Sequence, residues 1–361
     1  MKIAHFDFDS LDNPAGGGQA RRTFEIYRRL ADRHSITVYT GRSSTKAHTR
    51  DGIRFVPLGL RRFPFNAPSF IAAMQWQAHR AEADVIGEDF TVPCGPSGLP
   101  LHARVPVVGV AQFFFAPQLA AKYHVPFDAV ERMMIRHYRY IITGTEEAAK
   151  RAQSLAPRSQ IYVIINGVDE EAFLLHDASE GYCAFLGRLD RHQKGLDRLL
   201  AVIEQTDPRV TFRIAGTGPD KDWLEASLLQ RGLGDRVRLV GRLEGVSRLR
   251  FLRRARSVVF PSRYETLALI PFEAAATGRP VIGFAGNGME TTFRSLEQPV
   301  VRTVEECSST IDALDRDPPL GDRLGSLGRT RMQAFTWDEA ARKQEDIMRI
   351  AASAGSPRSV R

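Results

Sequence analysis

Glu265 and Glu273 stand eight residues apart in the stretch from Ser257 to Gly288, SVVFPSRYETLALIPFEAAATGRPVIGFAGNG. An ionised carboxylate is an acceptor only, so two of them held close together take hydroxyl hydrogens, as from a ribose or a sugar. Upstream, Arg188 and Lys194 stand six residues apart in RLDRHQK, a loop after an apolar run. There both reach one anionic group, Arg bidentately and Lys as a point charge. Cations and hydroxyl-accepting acids together suit a nucleoside diphosphate that carries a sugar. Each pair alone also has a plainer meaning. The acids suit a solvated helix start, where the macrodipole favours them, and the cations suit a solvated basic loop.

These side chains must be positioned by strands and helices. Ser257 to Phe260 is apolar and β-branched, hence a buried strand. A helix starts near Pro271, whose missing N–H is no loss in a first turn. It ends at Thr277-Gly278, with Pro280 blocking continuation, and Val281 to Phe284 is the next strand. The helix start between the two acids presents unpaired N–H groups, which suit a phosphate. The rest of the chain alternates in the same way. Lys2 to Phe8 reads as a strand, Gly16-Gly17-Gly18 as a glycine loop, and Gln19 to Arg33 as a helix. That order brings backbone close to an anion, although three glycines also make an ordinary surface turn. Strands follow at Ser35–Tyr39, Ile53–Leu58, Asp84–Glu88, Val105–Val110, Tyr140–Thr143 and Ile161–Ile165, with helices at Phe70–Arg80, Phe127–Tyr138 and Glu146–Ser154. A second series starts at Tyr182 and closes with helices near Glu305–Arg316, Arg323–Met332 and Glu339–Ala351. Alternation of this kind predicts doubly wound parallel sheets. Acids at a strand's carboxyl end, here Glu88 and Asp89, point into the ligand crevice of such sheets or are merely solvated.

The chain has 361 residues, which suggests two domains. The expected division is 1–168 with a helix at about 337–352, a connection at 169–180, a second domain at 181–334, and a flexible tail at 353–361. Hydrophobic content is 43% and charged content 25%, ordinary for globular chains with real cores. Cys94, Cys183 and Cys307 have no metal-like spacing and imply no disulfide framework, so a reducing cytoplasm is the expectation. No apolar run is long enough to span a membrane. The net charge is +8, carried by 43 Arg and 7 Lys. A basic surface attracts lipid heads, sugar phosphates or nucleic acid alike. Neither an RNA-binding aromatic motif nor a zinc finger is present, so nucleic acid is not an expected partner.

The motifs taken together resemble the retaining GT-B glycosyltransferases of glycosyltransferase family 4. The matching segments are Asn166-Gly167-Val168-Asp169, FLGRLD…KG from Phe185 to Gly195, Gly216-Thr217-Gly218-Pro219, and Pro261-Ser262…Glu265-x7-Glu273 with the helix and strand after it. The resemblance implies two facing Rossmann-like domains with a cleft between them and a C-terminal helix crossing back to the first domain. It implies that Arg188 and Lys194 hold the donor's diphosphate, that Glu273 takes the ribose hydroxyls, and that Glu265 takes those of the sugar. The backbone of Thr266, Leu267, Ala268, Leu269 and Ile270 would contact sugar and phosphate. Gly241, Arg242 and Leu243 would hold the base, and Gly16 to Gly18 would close over the phosphate. No metal and no cofactor are implied. The donor is a nucleotide-diphosphate sugar, with a UDP-sugar favoured on family frequency. Two residues depart from the family pattern. Gln112 stands where His is common and cannot titrate, and Ala268 stands where Gly is usual.

The implied activity is retaining transfer of a sugar to a hydroxyl of a glycolipid, polysaccharide or natural product, with Glu88, Asp89, Gln112 and Phe113 as acceptor contacts. The Arg61–Phe65 loop and the basic surface suit a lipid-linked acceptor bound peripherally at a membrane. The rival readings are a sugar-nucleotide 2-epimerase and a non-catalytic sugar-nucleotide or nucleic-acid binder. A nicotinamide-dependent oxidoreductase ranks lower, since the first turn lacks G-x-G-x-x-G.

Overall fold

The computed structural model describes the chain apart from residues 12–17, 42–45, 61–64, 91–94, 113, 115, 118–119, 121–123, 125, 266–267 and 356–361. It divides into two compact units, Met1–Asn166 with Trp337–Arg361, and Gly167–Thr336. The first unit is a sheet of β1 (Lys2–Asp7), β2 (Ser35–Thr40), β3 (His48–Arg50), β4 (Ile53–Pro57), β5 (Val85–Asp89), β6 (Val107–Ala111), β7 (Tyr140–Thr143) and β8 (Gln160–Val163). Its order among the described residues is β3-β4-β2-β1-β5-β6-β7-β8. All pairings are parallel except β3 on β4. β5, β6 and β7 are buried at every residue, hence their unbroken apolar runs in the sequence.

The second unit repeats the plan with β9 (Cys183–Leu186), β10 (Phe212–Ala215), β11 (Val237–Gly241), β12 (Ser257–Phe260), β13 (Val281–Phe284) and β14 (Val300–Val301). The order is β11-β10-β9-β12-β13-β14, all parallel. Its core is filled by the helix Leu196–Gln205, whose Leu196, Leu199, Leu200 and Ile203 follow the spacing of one helix face. In both sheets the winding reverses at one place, between β1 and β5 and between β9 and β12. Chain connections leave each reversal in opposite directions, so a crevice opens at the strands' carboxyl ends.

Three features differ from the sequence expectation. β3 is a three-residue edge strand, HTR, too short and too polar to show a period. Residues 169–180 are part of the second unit rather than a free connection. Val168 bridges Thr336, and the helix Glu171–Leu174 packs on the helices Gly245–Arg254 and Ile270–Ala276 with Ala172 fully buried. The helix expected from Arg323 begins at Pro318, because prolines are tolerated in a first turn and the Asp317 side chain caps it by accepting from the Leu320 N–H at 3.1 Å. The C-terminal helix, Trp337–Ser353, packs within the first unit on the helix Gly18–Arg28 and on β5, β6 and β7. No helix among the described residues is long and apolar enough to cross a membrane.

Two glycines set the loops at the β9/β12 reversal. At Gly216, φ is +144° and a Cβ would lie 1.8 Å from the Gly187 carbonyl, so only glycine lets the Gly216-Thr217-Gly218 turn pack on the loop after β9. At Gly195, φ is +66° and a Cβ would lie 2.3 Å from the Pro261 carbonyl. Gly195→Ala is therefore expected to cost about 1–3 kcal/mol through strain and displacement, read as a lower urea midpoint. An unchanged midpoint would mean that the loop after Lys194 has slack against β12.

Candidate functional site

In the second unit the chemistry gathers at the β9/β12 reversal. β9 leads into Gly187 and Arg188, and β12 leads into Pro261 to Glu265. Since β9 and β12 are hydrogen-bonded neighbours, loops more than seventy residues apart in sequence come together. Asp190 caps the short helix Arg191–Lys194 by accepting from the Gln193 N–H at 2.9 Å. Lys194 at its end donates to Glu265 Oε1. Both side chains are largely buried, and the ammonium also lies 5.9 Å from the centre of the Phe260 ring. The loop bearing Glu265 is fixed from two sides. Its N–H donates to the Asn287 carbonyl at 2.7 Å, and Arg263 holds Asp197 bidentately at 2.8 and 2.6 Å. Close by, Ser262 Oγ and Asn287 Nδ2 are buried polar atoms with no hydrogen-bond partner among the described residues, open to a water, an ion or a ligand atom.

Arg188 stays half-exposed at the mouth of this cluster, donating to Gln193 Oε1 at 2.5 Å with Asp190 at 3.6 Å. The structure thus joins Lys194 to Glu265 directly, whereas Arg188 engages its own loop. Glu273 lies on the short helix Ile270–Ala276, where every residue from Pro271 to Ala276 is buried. Its carboxylate accepts from Arg248 at 2.8 Å. Ala268 and Leu269 are buried beside the helix start, with Ile270 as its first residue. Gly241 ends β11, Arg242 is exposed and paired with Glu244 at 2.7 Å, and Leu243 is half-buried. Gly16, Gly17, Thr266, Leu267 and Phe113 lie outside the described residues, while Gly18 opens the helix Gly18–Arg28.

The first unit has its own polar cluster, at the β1/β5 reversal. Thr23 Oγ1 lies 2.8 Å from Asp7 Oδ2 and 3.0 Å from Asp89 Oδ2. The single hydroxyl hydrogen serves one carboxylate at a time. Burial first, then the charges of Asp89 and Asp9, hold the Asp7 carboxyl well above the usual range. The chain of contacts continues. Gln112 Nε2 donates to Asp89 Oδ2 at 2.6 Å, His5 Nε2 lies 3.5 Å from the same oxygen, and the Tyr27 hydroxyl meets His5 Nδ1 at 2.9 Å. Arg22, fully buried, donates to Gln344 on the C-terminal helix at 2.9 Å. Asp7, His5, Thr23 and Arg22 escaped the sequence reading, although Asp7 could have been found by the strand-end rule that singled out Glu88 and Asp89.

The Glu88 carboxylate is buried inside the unit, accepting from the Ser97 N–H at 2.9 Å and the Tyr138 hydroxyl at 2.5 Å. The side chain of the residue after a parallel strand's turn-out, Asp89, keeps the place at the reversal. Of the three phenylalanines after β6, Phe114 is core, packed edge-on to Phe90.

Two Rossmann-like α/β units in one chain, each with its polar side chains at a winding reversal, are the architecture of the GT-B fold. Residues 16–172 match the family model described as Glycosyltransferase Family 4, and residues 169–331 match that described as Glycosyl transferases group 1. The chain belongs to this glycosyltransferase family. Among curated relatives it is similar to glycogen synthase of Mycobacterium tuberculosis, at 28% identity over 82% of this chain and 71% of the relative. Among solved structures it is similar to sucrose-phosphate synthase of Thermosynechococcus elongatus, at TM-score 0.82 and 20% identity over 98% of this chain and 100% of that one. It is also similar to Anabaena HepE in complex with UDP-glucose, at TM-score 0.75 and 17% identity over 96% and 98%.

Burial pushes the Glu88 carboxyl up to about 7, against hydrogen bonds from Tyr138 and Ser97 that lower it. A carboxyl raised on folding contributes stability that is complete below the ordinary glutamate range and is lost as pH rises through about 7. The full effect is about 3 kcal/mol. Glu88→Gln is expected to remove this part of the pH dependence, so that its melting temperature exceeds that of the parent at pH 8 and converges with it at pH 5. Parallel melting curves across that interval would show that Glu88 does not titrate there.

Proposed function

We propose that the chain transfers a sugar, with retention of anomeric configuration, from a nucleotide-diphosphate sugar to an acceptor hydroxyl. A UDP-sugar is the favoured donor, and the acceptor belongs to a glycolipid, a polysaccharide or a natural product. The observation that carries this reading is the Lys194–Glu265 pair at the β9/β12 reversal, with Arg188 at its mouth and two orphaned buried polar atoms, Ser262 Oγ and Asn287 Nδ2, beside it. An arriving diphosphate competes with Glu265 for the Lys194 ammonium. As the phosphate takes Lys194, Glu265 becomes an acceptor for the hydroxyls of the sugar. Arg188, half-exposed and flexible enough to leave Gln193, supplies a second cation. Charge that develops on the leaving diphosphate is then offset by two cations, the largely buried Lys194 and the half-exposed Arg188. This role asks nothing of a metal ion.

Retention fits attack on the same face as departure. A double displacement needs a carboxylate poised as nucleophile on the far side of the sugar. Here Glu265 is engaged by the sugar hydroxyls once Lys194 turns to the phosphate, and Glu273 is tied to Arg248. Glu273 and the Gly241–Leu243 segment are assigned to the ribose and base. In the first unit, Asp89 and Gln112 are assigned to the acceptor. With its amide nitrogen on Asp89, Gln112 offers its carbonyl oxygen, an acceptor suited to a hydroxyl.

Ligand binding to the folded state raises the melting temperature by linkage, about 2.7 kcal/mol at a hundredfold excess over Kd. A thermal-shift series with UDP, GDP, dTDP and their glucose conjugates is expected to give its largest shift with a UDP species. No shift with any of them would overturn the reading. Arg188→Ala is expected to lower kcat by about 10²-fold or more, the scale of losing one charge-stabilising donor, and unchanged turnover would remove Arg188 from the site.

A further inference from the structure

We propose that Arg248 is a positioning residue for the donor nucleotide, holding the Glu273 carboxylate ionised and aimed so that it reads the ribose hydroxyls. The inference rests on the donor site proposed above and extends it to a residue outside the motifs. Glu273 sits in a helix whose other residues from Pro271 to Ala276 are apolar and buried, and its own side chain is 3% exposed. A carboxylate there is costly unless it is paired and hydrogen-bonded. The pairing comes from a different element. Arg248, in the helix Gly245–Arg254, reaches Glu273 Oε1 at 2.8 Å with its own side chain only 15% exposed. The same guanidinium lies 3.8 Å from Asp169 Oδ2, near the start of the unit.

The guanidinium thus stands between two carboxylates, closer to that of Glu273. The contact runs from Nη2 to Oε1, so it holds that oxygen on the Arg248 side. An ammonium in place of Arg248 keeps the charge but not the reach and planar geometry of the guanidinium. A substitution that removes the charge leaves Glu273 buried without its cation, so the carboxyl protonates or swings away, and ribose recognition suffers in either case.

The test separates positioning from a purely structural role by the ribose itself. Calorimetric Kd values are measured for UDP and for 2′,3′-dideoxy-UDP with the wild type, Arg248→Gln, Arg248→Lys and Glu273→Gln. A hydrogen bond to a charged group is worth about 1.5–3 kcal/mol, so the wild type is expected to prefer UDP by about 10–100-fold. Glu273→Gln and Arg248→Gln are both expected to bring that preference to within about threefold by weakening UDP alone, with dideoxy-UDP affinity unchanged. Arg248→Lys, the milder change, is expected to retain an intermediate preference. Arg248→Gln or Arg248→Lys binding UDP with the full wild-type preference overturns the proposal, as does a wild type that binds both nucleotides equally. A wild type that binds neither moves the comparison to whichever of GDP and dTDP gives a thermal shift, with its dideoxy form, and binding by none of the three sinks the donor-site reading and the proposal with it. Should Arg248→Gln fail to fold, the Arg248→Lys preference decides: wild-type values overturn the proposal, and a reduced one supports it.

Discussion

β9 and β12 are hydrogen-bonded neighbours, yet the chain leaves them winding in opposite directions. Two connections that diverge cannot both cover the carboxyl ends of the strands they leave, so the space between them stays open. The four charged groups assigned to the diphosphate, sugar and ribose enter from one of those diverging loops or from the helix that follows. Arg188 and Lys194 come from the β9 side, and Glu265 and Glu273 from the β12 side. Glycine makes the approach possible where backbones touch. Gly195 rests against the Pro261 carbonyl and Gly216 against that of Gly187, at distances no side chain tolerates. The first unit repeats the arrangement at β1 and β5, where Thr23 spans the reversal between Asp7 and Asp89.

Both reversals contain buried charge, and the two units handle it differently. In the second unit each acid has a cation: Lys194 for Glu265 and Arg248 for Glu273. Pairing offsets part of the cost of burying these acids. In the first unit three acids, Asp7, Glu88 and Asp89, are buried near one another with neutral hydrogen-bond donors as their nearest partners: Thr23, Gln19, Gln112, Tyr138 and a backbone N–H. Two of the acids respond by holding protons more tightly than exposed carboxyls do, Asp7 and Glu88 alike through burial before anything else. The second unit therefore gathers paired charge at its reversal, whereas the first gathers acids met by neutral donors, with the buried Arg22 guanidinium acting on Asp89 and Asp7 through its charge.

Much of this was legible beforehand, for physical reasons. Strands buried on both faces, such as β5, β6 and β7, show as unbroken apolar runs. Alternation with amphipathic helices then requires parallel pairing, because the crossover needs the helix. The Pro271 start and Gly278 end of the short helix follow from φ preferences that are local to those residues. What lacked a local signal was misread. β3 is short and polar, with only its pairing to β4 to define it. Residues 169–180 carry no period, yet Ala172 and Leu175 are buried against helices remote in sequence. Glu88 looked like its neighbour Asp89, although adjacent residues of a strand face opposite sides, and that one-residue difference sends Glu88 to Tyr138 and Asp89 to the reversal.

Residue type and spacing by themselves determined the fold class, the alternation of elements and which side chains carry chemistry, since backbone preference, apolar periodicity and functional groups are all written locally. Only the tertiary structure decided which of those groups meet. Lys194 meets Glu265 across 71 residues because strand order, which depends on the whole sheet, makes β9 and β12 neighbours. Arg248 meets Glu273 because two helices pack side by side, and Asp7 meets Asp89 because β1 lies beside β5. A charge in a sequence has a sign but no partner. Burial and packing supply the partner, and with it the difference between a solvated acid and one that is held in place to recognise a ligand.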